Sequence, residues 1–179
     1  MNTPAFKNLR EGMITKDKVF EKLRPHWFQV MRKYAETWGW EKKEAHWGYR
    51  ERTHIGFLAA AVWKAGGVAL EEYSTDKFRE TNKGSQKGNG RCDLFFRIEK
   101  QGYTLEAKHA WSTLGSEKRS LKPVKRNMLW ACKDAAAVQG QGKQLGVVFI
   151  TIKNPAAIPK KEDVDEAIRR WLEALQHHR

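Results

Sequence analysis

YTLEAKHAW, residues 103–111, alternates apolar and polar side chains as a half-buried strand does. Tyr103, Leu105 and Ala107 fall on one face; Thr104, Glu106 and Lys108 fall on the other. CDLFFRIE, residues 92–99, has the same alternation. There Leu94, Phe96 and Ile98 oppose Asp93, Phe95 and Arg97. With a turn around residues 100–102, the two stretches read as an antiparallel hairpin. Both apolar faces must then lie on one side, because a one-residue slip would invert every side chain. Asp93, Glu106 and Lys108 are gathered on the other side. A turn centred on Glu99 and Lys100 puts Asp93 opposite Glu106. A turn centred one residue later puts Asp93 opposite Lys108 and Glu106 opposite Phe95. Opposed Cβ atoms lie roughly 5 Å apart and diagonal ones roughly 7–8 Å, so either register brings the three groups within reach of one ion.

Two carboxylates that close repel unless a cation lies between them. Hard oxygen ligands suit Mg²⁺ or Mn²⁺. A neighbouring lysine offsets charge and can orient a water. The combination has the chemistry of metal-assisted phosphodiester hydrolysis. Glu-x-Lys by itself is a common exposed ion pair worth little. The apolar flanks and the Asp on the adjoining strand give this one its interest.

Outward from the hairpin, the chain reads as helix, helix, three strands, helix, strand, helix. Phe20, Leu23, Trp27, Met31, Tyr34 and Trp38 recur at helical spacing. A second helix covers roughly residues 45–64 and ends at Gly66 and Gly67. VALEEY, residues 68–73, reads as a strand, and the polar, Gly-rich stretch 74–91 as a long functional loop. A helix with Pro123 near its first turn follows the hairpin and runs to about Val138. LGVVFITI, residues 145–152, is a continuous apolar run, as in a strand packed on both faces. A last helix starts near Lys161. The expected fold class is α/β (α+β): a mixed sheet of about four strands flanked by helices, with an extra N-terminal helix. The 179 residues suit one domain. Within it, residues 1–43 form a helical extension, 44–152 the core and 153–179 a C-terminal helix.

Lys and Arg number 34 against 21 Asp and Glu, a net charge of +13. Such a field attracts polyanions, nucleic acid first among them. Two cysteines, Cys92 and Cys132, make no disulfide framework. No signal-peptide core or membrane-length apolar run is visible, so the expectation is a soluble, cytoplasmic protein with no membrane partner.

RCDLFF followed by LEAK resembles the PD-(D/E)XK nuclease superfamily, whose core is a helix, three antiparallel strands, a helix and a further strand. Residues from about 45 to 152 follow that order. Cys92 replaces the proline of the motif. The resemblance implies a restriction-endonuclease-like fold and a Mg²⁺-dependent (or Mn²⁺-dependent) endonuclease. It implies Asp93 and Glu106 as metal ligands, completed by the main-chain carbonyl of Ala107, and Lys108 as the group that positions or activates water. A glutamate from the first core helix would join them: Glu51, or Glu44 two turns earlier. Glu71 and Glu72 on the preceding strand are further candidates for that place, weighed against the simpler reading of edge carboxylates.

Nucleic acid, DNA first, would lie along Lys83, Lys87 and Arg91 before Asp93, along Lys118, Arg119, Lys122, Lys125 and Arg126 after the second strand, and beside Arg50 and Arg52, which flank Glu51. The roles that fit are restriction-like or junction-resolvase-like cleavage. The alternative is a catalytically silent nucleic-acid-binding module on the same fold. The tryptophan-rich N-terminal third could instead supply a homodimer face.

Overall fold

The computed structural model describes residues 12–15, 17–39, 50–81, 84–114, 117–139, 142–153 and 161–176. Helix α1 spans Lys18–Tyr34 and runs on into a π-helical turn, Ala35–Gly39. Asp17 starts it: its Oδ1 accepts the Val19 N–H at 3.0 Å, satisfying a donor that the first helical turn leaves unpaired. Helix α2 is Glu51–Lys64, followed by Gly66 in the left-handed conformation (φ 80°) that glycine adopts without steric cost. Strands β1 (Val68–Thr81), β2 (Gly84–Ile98) and β3 (Gln101–Thr113) come next. Helix α3 (Glu117–Ala137), strand β4 (Lys143–Lys153) and helix α4 (Lys161–Gln176) complete the chain. The sheet order is β1-β2-β3-β4, antiparallel over the first three strands, with β4 parallel to β3. This is the mixed α/β architecture expected from the sequence, N-terminal helix included.

The alternation in residues 92–109 does what its period requires. Leu94, Phe96, Ile98, Tyr103, Leu105 and Ala107 are all buried against α1 and α2, where Leu23, Ile55, Leu58 and Val62 meet them. The other face of the sheet is covered by α3 and α4. A second cluster forms there from Ala110, Leu114, Leu121, Val124, Ala167 and Trp171. Strand β4 serves both clusters: Leu145, Val147 and Phe149 face the first, and Val148, Ile150 and Ile152 the second. A continuous apolar run is the pattern such a strand needs. The Trp171 indole N–H donates to Ser112 Oγ at 2.8 Å, and that hydroxyl donates to the Ser120 carbonyl at 3.2 Å, so α4, β3 and α3 are joined by a buried polar chain. Helix α3 also comes very close to β4. A Cβ on Gly146 would lie 2.5 Å from the Cys132 backbone nitrogen, so only glycine lets helix and strand approach this far.

Two sequence expectations change, and the choice between two hairpin registers is made. The stretch 74–91 is not a loop. It is the outer part of an antiparallel ribbon whose register runs to Thr81↔Gly84. Pro123 lies beyond the first turn, inside α3. The hairpin turn is Glu99–Lys100, and the Leu94↔Leu105 pairing selects the register in which Asp93 stands across from Glu106.

The ladder between β2 and β3 stops at Leu94↔Leu105. Beyond that point β3 continues alongside β4 to Thr113↔Lys153, while β2 continues alongside β1. The sheet therefore forks. The β1–β2 ribbon is held to the end of α3 by a bridge between Lys77 and Val138, by the Gln139 N–H donating to the Asp76 carbonyl at 2.9 Å, and by the Thr75 hydroxyl donating to the Gln139 carbonyl at 3.0 Å.

Candidate active site at the fork of the sheet

Asp93 occupies the fork. Where the β-ladder gives out, its Oδ2 accepts the Ala107 N–H at 2.8 Å and replaces the missing backbone acceptor. This leaves Asp93 half-buried and held against β3. Its neighbour across β1 is strained: Glu72 has φ 48°, a left-handed conformation unfavourable for a residue with a Cβ, and the β1–β2 pairing skips the Glu72–Asp93 position.

Glu106 is 2% exposed. Lys77 Nζ from β1 lies 2.7 Å from its Oε1. The contact is an ion pair outside hydrogen-bond geometry, and this Oε1 accepts no hydrogen bond from the described residues. Lys108 Nζ sits 2.7 Å from Asp134 Oδ2 on α3. Glu51 is half-buried in the first turn of α2, where a carboxylate is favoured by the helix dipole. Glu51, Asp93, Glu106 and Lys108 are thus brought into one electrostatic unit. Glu44 and Lys83 lie outside the described residues.

The titration behaviour follows from this crowding. Burial pushes the Glu106 carboxyl above its ordinary range, Asp93 adds to that rise, and Lys77 and Lys108 oppose it. Burial also raises Glu51, with Asp93, Glu106 and Asp134 adding and Lys108 opposing. Burial alone would lower Lys108, but Asp134, Glu51 and Asp93 outweigh it and the ammonium is raised. Both carboxyls are thus raised chiefly by burial, with neighbouring acids adding and the lysines opposing.

Among the described residues, no three His, Cys, Asp or Glu side chains are arranged to hold a metal ion. Asp93 and the buried Glu106 supply carboxylate oxygens of the kind a hard divalent cation takes. An ammonium already sits against Glu106, so the position accepts positive charge.

His109 turns to the opposite face, as strand alternation requires. Its ring stacks on His54 at 5.4 Å and its Nε2 lies 3.0 Å from Thr151 Oγ1, while burial keeps its pKa low. It is a packed, hydrogen-bonded histidine. Cys92 is fully buried. Its sulfur lies 3.4 Å from both the Leu94 and the Leu105 carbonyl oxygens, either of which can accept its single S–H, and burial pushes its pKa up to about 11, the setting of a packed thiol.

The basic candidates separate into two groups. On the ribbon, Lys87 pairs with Asp76 at 2.8 Å and Arg91 with Glu72 at 3.2 Å, and Arg52 reaches the same Glu72 at 3.1 Å. These cations already have internal partners. On α3, which Lys118 also joins at the first turn, Arg119, Lys122 and Arg126 are exposed and Lys125 is half-buried. Residues 119, 122, 126, 130 and 133 fall within about 100° of one another around a helix of 3.6 residues per turn. Trp130 is 50% exposed, with the Arg126 guanidinium 5.0 Å from its ring centre, and Lys133 extends the exposed stripe.

Sequence reading missed Lys77, Asp134, Trp130 and Lys133. Lys77 lies in the stretch read as loop. Asp134 lies in a helix whose facing strand is known only after folding. The aromatic among basic residues at helical spacing was the signal available for Trp130. No family model and no curated protein matches the chain.

Proposed function

We propose that this protein is a metal-dependent nuclease that hydrolyses phosphodiester bonds, acting first on DNA. One observation carries the reading: Asp93 and Glu106 stand across a forked hairpin, with Lys108 on the Glu106 strand and Glu51 close enough to feel all three. The PD-(D/E)XK resemblance of the same residues points the same way. Asp93, Glu106 and the Ala107 carbonyl would hold Mg²⁺ or Mn²⁺, which supplies a Lewis acid for the scissile phosphate when bound. Lys108, fixed by Asp134, would orient the attacking water and face the developing negative charge. Glu51 would take up the proton released by that water, a task suited to a carboxylate whose pKa is raised. The exposed basic stripe on α3 would hold the phosphate backbone.

The test is cleavage of plasmid, linear and branched DNA with Mg²⁺ or Mn²⁺. Asp93→Ala and Lys108→Ala should each lower the rate by about 10²–10⁴. Metal-dependent cutting that survives both substitutions would sink the assignment. A second reading draws on a specific observation: both Glu106 and Lys108 already have partners of opposite charge, as they would in a silent binding module. DNA binding without cutting under every metal and substrate would favour that module.

A further inference from the structure

Among the described residues, Lys77 is the cation that touches the buried carboxylate of the candidate site, and it arrives from an unexpected place. It belongs to the ribbon, beyond the fork, and is delivered to Glu106 because the ribbon is bound to the end of α3 at Lys77 itself. Its Nζ lies 2.7 Å from Glu106 Oε1, and its side chain is 16% exposed. Its stem crosses Gly90 on β2. A Cβ there would meet Lys77 Cγ and Cδ at 2.8 Å, so glycine at this position is what lets the lysine lie flat and reach inward. Gly90 is in ordinary extended backbone, so the space above it is its structural contribution.

We infer that Lys77 is a tethered cation that neutralises Glu106 in the metal-free protein and must withdraw when a divalent ion binds. An ammonium at ion-pair distance from Oε1 and a metal ligated by that oxygen cannot share the same space, and their like charges repel. Lys77 has a long flexible stem and a side chain that is 16% exposed, so rotation of the stem alone can carry its ammonium away from Glu106 without breaking backbone pairing. Lys77 is a positioning residue that sets how readily the site loads. This inference rests on the nuclease reading of the fork.

The experiment is Mn²⁺ binding to the full chain by isothermal titration calorimetry, with no substrate present. Lys77→Met removes the competitor. Gly90→Ala keeps the charge but pushes the stem away, and it decides the matter if Lys77→Met does not fold. Both variants should bind Mn²⁺ about ten- to a hundredfold more tightly than wild type. Glu106→Gln should abolish the binding. Folded variants that bind Mn²⁺ no more tightly than wild type would overturn the role of Lys77 and leave the metal site standing. If neither the wild type nor either variant takes up Mn²⁺ at millimolar concentration, the tethered-cation idea falls together with the metal site.

Discussion

Glu51 carries a cost that pH can expose. Its carboxyl is raised by burial and by three neighbouring acids, so folding disfavours its charged form. A carboxyl raised in the folded state contributes stability that is fully present below its unfolded value, the ordinary 4.5 of a glutamate, and that is lost as pH rises through the folded value. Glu51→Gln should therefore melt at a higher temperature than wild type at about pH 7.5, and the two should converge near pH 4. Thermal scans across that range check it; a variant that melts lower at neutral pH would mean that the attraction to Lys108 dominates. Glu51 was legible in the sequence because it precedes Ile55 and Leu58 on one helical stripe. Lys77 was not, because nothing local says that a lysine in a polar stretch will be folded back onto a carboxylate far downstream. Asp134 was hidden for the same reason.

At the scale of elements, the sequence is informative where one face is apolar and silent where neither is. Residues 92–109 alternate apolar and polar side chains, which determines strand character and the acidic side together, while the choice between two registers came from the Leu94↔Leu105 pairing. The ribbon's outer half has little apolar surface to bury: Phe78 is 40% exposed and Gln86, Lys87, Gly88 and Asn89 are exposed. Its strand character comes from pairing across the ribbon and from the tie to α3, both non-local. The close approach of α3 to β4 at Gly146 is a second non-local constraint. Gly146→Val would drive a branched side chain into the Cys132 backbone. It should cost about 1–3 kcal/mol, read from urea denaturation. An unchanged midpoint would mean that the helix can move away freely.

For the whole molecule, charge matters more than shape. A net +13 on 179 residues gives long-range attraction to any polyanion, and the exposed arc of α3 concentrates it beside an exposed indole. No helix among the described residues is long and apolar enough to cross a membrane. DNA affinity should fall steeply with salt. Replacing Arg119, Lys122 and Arg126 with alanine should flatten the slope of log K against log salt by about 0.9 for each phosphate that is no longer neutralised. Titrations at several salt concentrations measure this directly; an unaltered slope would move the interface off α3.

The fork in the sheet also separates local contacts from distant ones, which bears on folding. The β2–β3 hairpin closes over a two-residue turn and brings Asp93 face to face with Glu106 from local contacts alone. The tie that fixes the Lys77 ribbon to the end of α3 is a far longer closure, spanning residues 77 to 138. Until it forms, the two acids confront each other with Lys108, on the same face of the hairpin, as their nearest counter-charge. Glu106→Gln should therefore speed refolding as well as unfolding in stopped-flow chevrons, since it removes the early repulsion and also the late ion pair. Slower refolding would place Lys77 at Glu106 before the hairpin closes. In the finished protein Lys77 and Lys108 offset the clash without removing it, since Asp93 still raises the Glu106 carboxyl.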